Sequence, residues 1–233
     1  MEGPEIMAKS KPAKTPPARD RVLAKLRSVP NGVATDALTR LGIGGWMDGV
    51  LPVSPKGHVA GPAVTLRFAP SRGVDGSARN IYALIRTFAP GSVLVIEAVG
   101  TRTSVFGGNM ATQAQVQGLA GMITDGHCRD FPEMVALKMP VFCGGRSVRL
   151  PHELELVADG VPITCGGAQV RPGDFIIGDA DGVVVIPGGA AEAVLYQAEE
   201  VARIEKELGR AIKAKAPMAK INAILKRKKT TRK

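Results

Sequence analysis

The hydrophobic pattern along this chain changes period several times, and each change predicts an element. Val22, Leu23 and Leu26 fall on one face of a 3.6-residue period, which predicts a helix. Residues 35–41 predict a second short helix, stopped by Gly42, with Asp36 as an acid in its first turn. From there strand-like and helix-like stretches alternate. Strands are predicted at 59–67, 92–96 and 121–124 and from 140, with helices at 77–87, 109–117 and 131–138. The last third changes character: short strands at 161–164, 168–170, 174–177 and 183–186 are separated by glycine-rich turns. Within them Asp179-Ala180-Asp181-Gly182 reads as a hairpin turn, and a long helix follows from 190 to 211. This order predicts a single α/β domain with a mixed rather than purely parallel sheet.

Composition narrows the class. With 233 residues, 45% of them hydrophobic, the chain can build one sizeable core. No stretch approaches the ~20 consecutive apolar residues of a membrane span, and the first residues lack the apolar run of a secretory leader, so a cytoplasmic protein is expected. Residues 1–17 carry four prolines among lysines and are expected to be a mobile lead-in; the domain itself is placed at 18–211. The net charge of +10 is local: residues 209–233 hold ten Lys/Arg and no acid, which leaves the rest of the chain neutral. The segment 212–233 is therefore read as a solvated, disordered basic tail. It contains no aromatic side chain for base stacking, so nucleic-acid binding is a subordinate reading.

Cys128, Cys143 and Cys165 form no Cys-x-x-Cys pair, and His58, His127 and His152 are scattered. Neither a thiol zinc site nor a disulfide framework is expected; a metal would be held by carboxylate and water, as Mg²⁺ is. Two nearby segments carry candidate chemistry. Gly107-Gly108-Asn109-Met110 is a glycine pair opening a helix, where unpaired N–H groups can receive a carboxylate or phosphate. The strand at 121–124 runs into Asp125-Gly126-His127-Cys128-Arg129-Asp130, beyond the carboxyl end of a strand. There Arg129 could grip a carboxylate and Asp130 hold a divalent cation. His127 is either a ligand contact or structural, Arg146 and Arg149 either line the cleft or face solvent, and Trp46 is expected at a core edge or interface.

The run from Gly107 to Asp130 resembles the signature of one family, the class II 4-hydroxy-4-methyl-2-oxoglutarate aldolases together with the regulator of ribonuclease E activity (RraA-like). Residues 34–38, 59–65 and 171–185 agree with it in family order, so the likeness spans roughly 30–210. The resemblance implies a swivelling β/β/α-type fold assembled as a ring-shaped trimer or a dimer of trimers. It also implies retro-aldol cleavage of a small 2-oxo acid, with oxaloacetate decarboxylation as a related reaction. Arg129 would bind the pyruvate part of the substrate. Asp130 would anchor the metal, Mg²⁺ or alternatively Mn²⁺, and Gly107, Gly108, Asn109 and Met110 would receive the carboxylate. The family's aldolases usually carry an acid where this chain has Gly108. They also take a glutamate from a neighbouring subunit; Glu205 and Glu207 are the nearest candidates, each otherwise a residue of a solvated helix face. The competing expectation is a non-catalytic inhibitor of ribonuclease E, against which the presence of Asp130 speaks.

Overall fold

The computed structural model describes residues 17–72 and 80–231. The expected mobile lead-in lies outside the described residues except for Pro17, as does the start of the helix expected at 77–87. Two helices come first, α1 (Ala18–Leu26) and α2 (Asn31–Arg40). α1 buries Val22 and Leu26, the face its period marks. α2 begins four residues before the expected Thr35, because Pro30 presets its entry; Asp36 is thus a mid-helix residue and not a first-turn acid.

The strands β1 (Leu51–Pro52) and β2 (Val59–Pro70) follow, then the short helix α3 (Ile81–Ile85). The Asn80 side chain caps α3 by accepting the N–H groups of Tyr82 and Ala83. Next come β3 (Val93–Glu97), β4 (Ser104–Phe106), α4 (Gly108–Val116), β5 (Gly121–Thr124), β6 (His127–Cys128) and α5 (Phe131–Ala136). The chain continues through β7 (Val141–Cys143), β8 (Gly145–Arg146), β9 (Leu154–Asp159), β10 (Ile163–Cys165), β11 (Ala168–Val170), β12 (Phe175–Asp179) and β13 (Gly182–Ile186). It ends in α6 (Ala191–Lys213) and α7 (Met218–Lys228).

The main sheet runs β1-β7-β5-β3-β2-β12-β13, with β9 also paired to β2. Its centre, β2-β3-β5-β7, is parallel and its flanks are antiparallel, so the expected mixed sheet is present. Strand β2 is long enough to take β12 along its first residues and β9 along its last, with an irregularity at Arg67/Phe68 within the β9 pairing. The two sheet ends nearly close into a barrel. Met47 N–H donates to the Val183 carbonyl, Val185 N–H donates to the Gly45 carbonyl, and Trp46, 46% exposed, bridges Val184 at this seam.

Period-2 alternation sorts side chains onto two faces, yet both faces are buried, so the strands read as continuous apolar runs. Val93, Val95, Ile123, Phe142 and Ile176 point into the barrel, which the β10–β11 hairpin plugs with Ile163, Cys165 and Val170. Leu94, Ile96 and Met122 face outward and are covered by α3, α4 and α5. Phe175, Ile177, Val184 and Ile186 face outward on the other side, beneath α1, α2 and α6.

The C-terminal segment is not the disordered tail expected from its charge. α7 buries Ile224 against Ile204 and Ala211 of α6. Lys228 Nζ lies 2.8 Å from Asp36 and 2.5 Å from Glu205, and Arg227 pairs with Glu207. Arg40 donates to the carbonyls of Arg227 and Lys228 at the end of α7, where helix carbonyls lose their regular intrahelical partners. Glu205 and Glu207 are therefore ion-paired within the chain and do not form a merely solvated face. Among the described residues, no helix is long and apolar enough to cross a membrane.

Candidate functional site

Three neighbouring parallel strands of the main sheet each stop and then resume: β3 as β4, β5 as β6, and β7 as β8. The resumed strands form a second, three-stranded parallel sheet, with Phe106 beside Cys128 and Cys128 beside Arg146. Asp125 holds the break between β5 and β6 to the one between β3 and β4, accepting N–H groups of Ala98 at 2.7 Å and Gly100 at 3.2 Å. Burial raises its carboxyl above the usual range, and those N–H bonds oppose the rise. Cys128 and Cys143 pack together beneath the small sheet; burial, reinforced by the neighbouring Cys143, pushes the Cys128 thiol far up, so it stays protonated.

Helix α4 leaves the end of β4 and α5 leaves the end of β6, so two helix starts meet beyond the small sheet. Gly107, in extended backbone, heads α4, and Asp130 heads α5 in the left-handed region at φ 60°, ψ 39°. That conformation is one Asp tolerates. It turns the Asp130 carboxylate away from its own helix, which it does not cap, and onto α4. Asp130 Oδ2 accepts the Gly108 N–H at 3.0 Å and lies 3.6 Å from Arg129 Nε. Arg129 is fixed from behind by its own N–H, which donates to the Phe106 carbonyl at 3.2 Å.

The two glycines have steric reasons. A Cβ at 107 would fall on Asp130 Oδ2 and against Arg129 Cγ. A Cβ at 108 would fall on the carboxylate of Glu133, one turn into α5. Glu133 was not singled out from sequence, although its i+3 spacing from Asp130 at a helix start was a readable signal. Its carboxylate stands against Gly108, the position at which the resemblance leads one to expect an acid.

Gly107, Asn109, Met110, Arg129 and Asp130 line one hollow of about 160 Å³. Gly108 is behind it, buried, with its N–H already taken by Asp130. Helix geometry leaves the N–H groups of Asn109 and Met110 without intrahelical partners, open to a ligand. The hollow is well below the ~300 Å³ at which drug-sized pockets begin, and it suits a small acid. Tyr82 and Leu150, also missed from sequence, form its apolar wall. Arg129 and Asp130 keep 44% and 36% of their side chains exposed, so the pair is reachable from solvent. His127 turns elsewhere: its ring lies against Gly145, with Nδ1 buried and without a hydrogen bond among the described residues.

The donor set suits a hydrated metal and not a caged one. Among the described residues no three His, Cys, Asp or Glu side chains cluster, so no all-protein cage is formed. Asp130 spends Oδ2 on Gly108 and Arg129, while no hydrogen bond to Oδ1 is found among the described residues. One free carboxylate oxygen beside an open hollow fits a hard ion that keeps most of its waters.

A family model described as RraA-like, Aldolase/RraA, matches residues 33–185. The chain is 34% identical over 127 residues to a protein of Halalkalibacterium halodurans provisionally named 4-hydroxy-4-methyl-2-oxoglutarate aldolase. That alignment covers 54% of this chain and 57% of the relative, so the match spans little more than half the relative's length. Among solved structures, Streptomyces coelicolor RraAS2, titled an unusual member of the RNase ES inhibitor RraA family, is 30% identical with a TM-score of 0.74. The likeness covers 80% of this chain and 95% of that one. An uncharacterised protein of Pseudomonas syringae pv. tomato is 28% identical with a TM-score of 0.76, covering 89% of this chain and 99% of the other. The matched residues contain the small sheet, both helix starts and the Arg129–Asp130 pair, and the chain belongs to the RraA-like (Aldolase/RraA) family.

Proposed function

We propose that the protein is a divalent-metal-dependent lyase that cleaves 4-hydroxy-2-oxo acids of the 4-hydroxy-4-methyl-2-oxoglutarate class to pyruvate. The observation that carries this reading is the meeting of Arg129, Asp130 and the open amides of Asn109 and Met110 in one small hollow. The relative named as an aldolase lends it support.

Arg129 presents a planar fork to the carboxylate of the pyruvate half, and the amides at the start of α4 add donors to the same group. Asp130, which lines the hollow, is held through Oδ2 by the Gly108 N–H and by Arg129. When bound there, Mg²⁺ or Mn²⁺ would supply Lewis-acid polarisation of the 2-oxo group. Loss of the 4-hydroxyl proton to a base or to water makes C4 a carbonyl, and the C3–C4 electron pair passes into the pyruvate half as an enolate, which a proton returned to C3 converts to pyruvate. The developing charge then lies beside a fixed guanidinium and the positive end of a helix, both oriented before the reaction begins. Loss of CO₂ from oxaloacetate leaves the same enolate, so the same groups serve decarboxylation. Neither motif contains a lysine for a Schiff base. The assembly proposed with this activity is a trimer or a dimer of trimers, which light scattering would read.

The test is pyruvate release from 4-hydroxy-4-methyl-2-oxoglutarate and from oxaloacetate, with and without Mg²⁺. Metal-dependent release from either, lost in Arg129→Ala, is expected. Silence on both substrates with folded protein and metal present would contradict the lyase. A second reading, a protein that inhibits a ribonuclease E-type enzyme by contact, draws on the likeness to RraAS2. Inhibition of that nuclease by Arg129→Ala as strong as by the unaltered protein, together with no lyase activity, would favour it.

A further inference from the structure

A second cleft adjoins the hollow and shares its Arg129–Asp130 wall. It is shallow and open, and Phe131 and Arg146 from β8 line its other side. The Arg146 guanidinium carbon lies over the Phe131 ring, 4.3 Å from its centroid, a cation–π contact that holds the charge at this wall. β8 and β6 are parallel neighbours with Cys128 opposite Arg146. This sets Arg146 one residue out of register from Arg129, on strands about 4.8 Å apart.

The surrounding cations are accounted for differently. Arg129 has Asp130, Arg149 has Glu153 at 2.6 Å and Arg67 has Glu97 at 2.8 Å. No ion pair of Arg146 is found among the described residues. The cleft thus holds two guanidinium groups and one carboxylate, an excess positive charge that an anionic ligand would neutralise.

We propose that Arg146, stacked on Phe131, is a carboxylate-binding subsite for the half of the substrate that leaves as the carbonyl product. It makes the preferred substrates 2-oxo acids with a second, distal carboxylate over those ending in an apolar group. The inference rests on the lyase reading for the word substrate, though the subsite itself can be measured by binding alone. In 4-hydroxy-4-methyl-2-oxoglutarate that carboxylate is bonded to C4, so Arg146 is here a substrate-binding specificity residue on the leaving side of the breaking bond.

The experiment compares the unaltered protein, Arg146→Met and Arg146→Lys in two assays. Met keeps an apolar stem over the ring and removes the charge; Lys restores charge without the fork. Calorimetric titration with two unreactive ligands, 2-oxoglutarate and 2-oxopentanoate, in the presence of Mg²⁺ reads the subsite directly. The unaltered protein should prefer 2-oxoglutarate. Arg146→Met should cut that preference by about 10- to 100-fold, the range for losing a hydrogen-bonded charge partner, with Lys recovering part of it. The parallel assay is pyruvate release from 4-hydroxy-4-methyl-2-oxoglutarate and from 4-hydroxy-2-oxopentanoate. There the ratio of kcat/KM values should shrink by a similar factor, mainly through KM. No preference in the unaltered protein, or equal losses for both ligands in Arg146→Met, overturns the subsite. A preference that depends on Arg146 without any pyruvate release upholds the subsite and moves the failure to the lyase reading.

Discussion

The two sheets of this molecule are built on opposite terms. The main sheet uses strands of up to twelve residues whose side chains are buried on both faces. Its stability is distributed over three apolar layers, each fully buried Val, Leu or Ile contributing about 1.5–3 kcal/mol. The small sheet has strands of two or three residues that could not persist alone; it exists because β3, β5 and β7 deliver the chain to it. The main sheet gives position, and the small sheet spends that position on two helix starts, a guanidinium and a carboxylate. The proposed chemistry sits where the scaffold is thinnest, and backbone geometry does there what side-chain burial does elsewhere.

The comparison predicts a separation between stability and activity. Phe142, fully buried inside the barrel, strikes the scaffold: Phe142→Ala should cost about 3–5 kcal/mol in chemical denaturation, and activity should fall only as folded protein is lost. Arg129→Ala strikes the small sheet's end and should reduce kcat/KM by about 10²- to 10³-fold with an unchanged denaturation midpoint. A midpoint that fell with it would erase the distinction between the two regions. The glycine pair sharpens it further. Gly107→Ala drives a methyl into Asp130 and Arg129 and should lower kcat/KM by about 10²-fold, the scale of an ångström-sized misplacement. Gly108→Ala meets Glu133, whose exposed carboxylate can turn aside although its Cβ would stand 3.2 Å away, and should cost less than about tenfold. The reverse order would show that the 108 position, and not Asp130, sets the site.

The smallest effect belongs to a region outside both sheets. The pairs with Asp36 and Glu205 raise Lys228 above its ordinary 10.5. A raised lysine stabilises the fold fully below its unfolded value and loses that contribution as pH climbs through the folded one. Lys228→Met should therefore lose about 1 kcal/mol at pH 8 and nothing relative to the unaltered protein well above pH 10.5, with kcat/KM unchanged throughout.

Legibility in the sequence follows the same division. Residues 92–96 and 121–124 announce strands because burial on both faces leaves an unbroken apolar run. Ser104-Val105-Phe106 and His127-Cys128 announce nothing, since a strand of two or three residues has no period to detect. The strand Leu154–Asp159 was also invisible: its half-buried residues carry acids at the sheet's margin. α7 was misread because its cations were counted along the chain. Their partners, Asp36, Glu205 and Glu207, are distant in sequence and adjacent in space. At the site, Arg129, Asp130 and the glycine pair stood out as residue types suited to an anion and a metal. Glu133, Tyr82, Leu150 and the stacking of Arg146 on Phe131 depend on how α3, α5 and β8 fold around them, which no local pattern encodes.

The central claim, that a small 2-oxo acid is received where the small sheet ends, is tested most directly by a crystal soaked with Mn²⁺ and oxalate, a mimic of the pyruvate enolate. The account predicts an anomalous peak beside Asp130 and oxalate spanning Arg129 and the amides of Asn109 and Met110. Metal and oxalate bound elsewhere, with this hollow left to water, would contradict it.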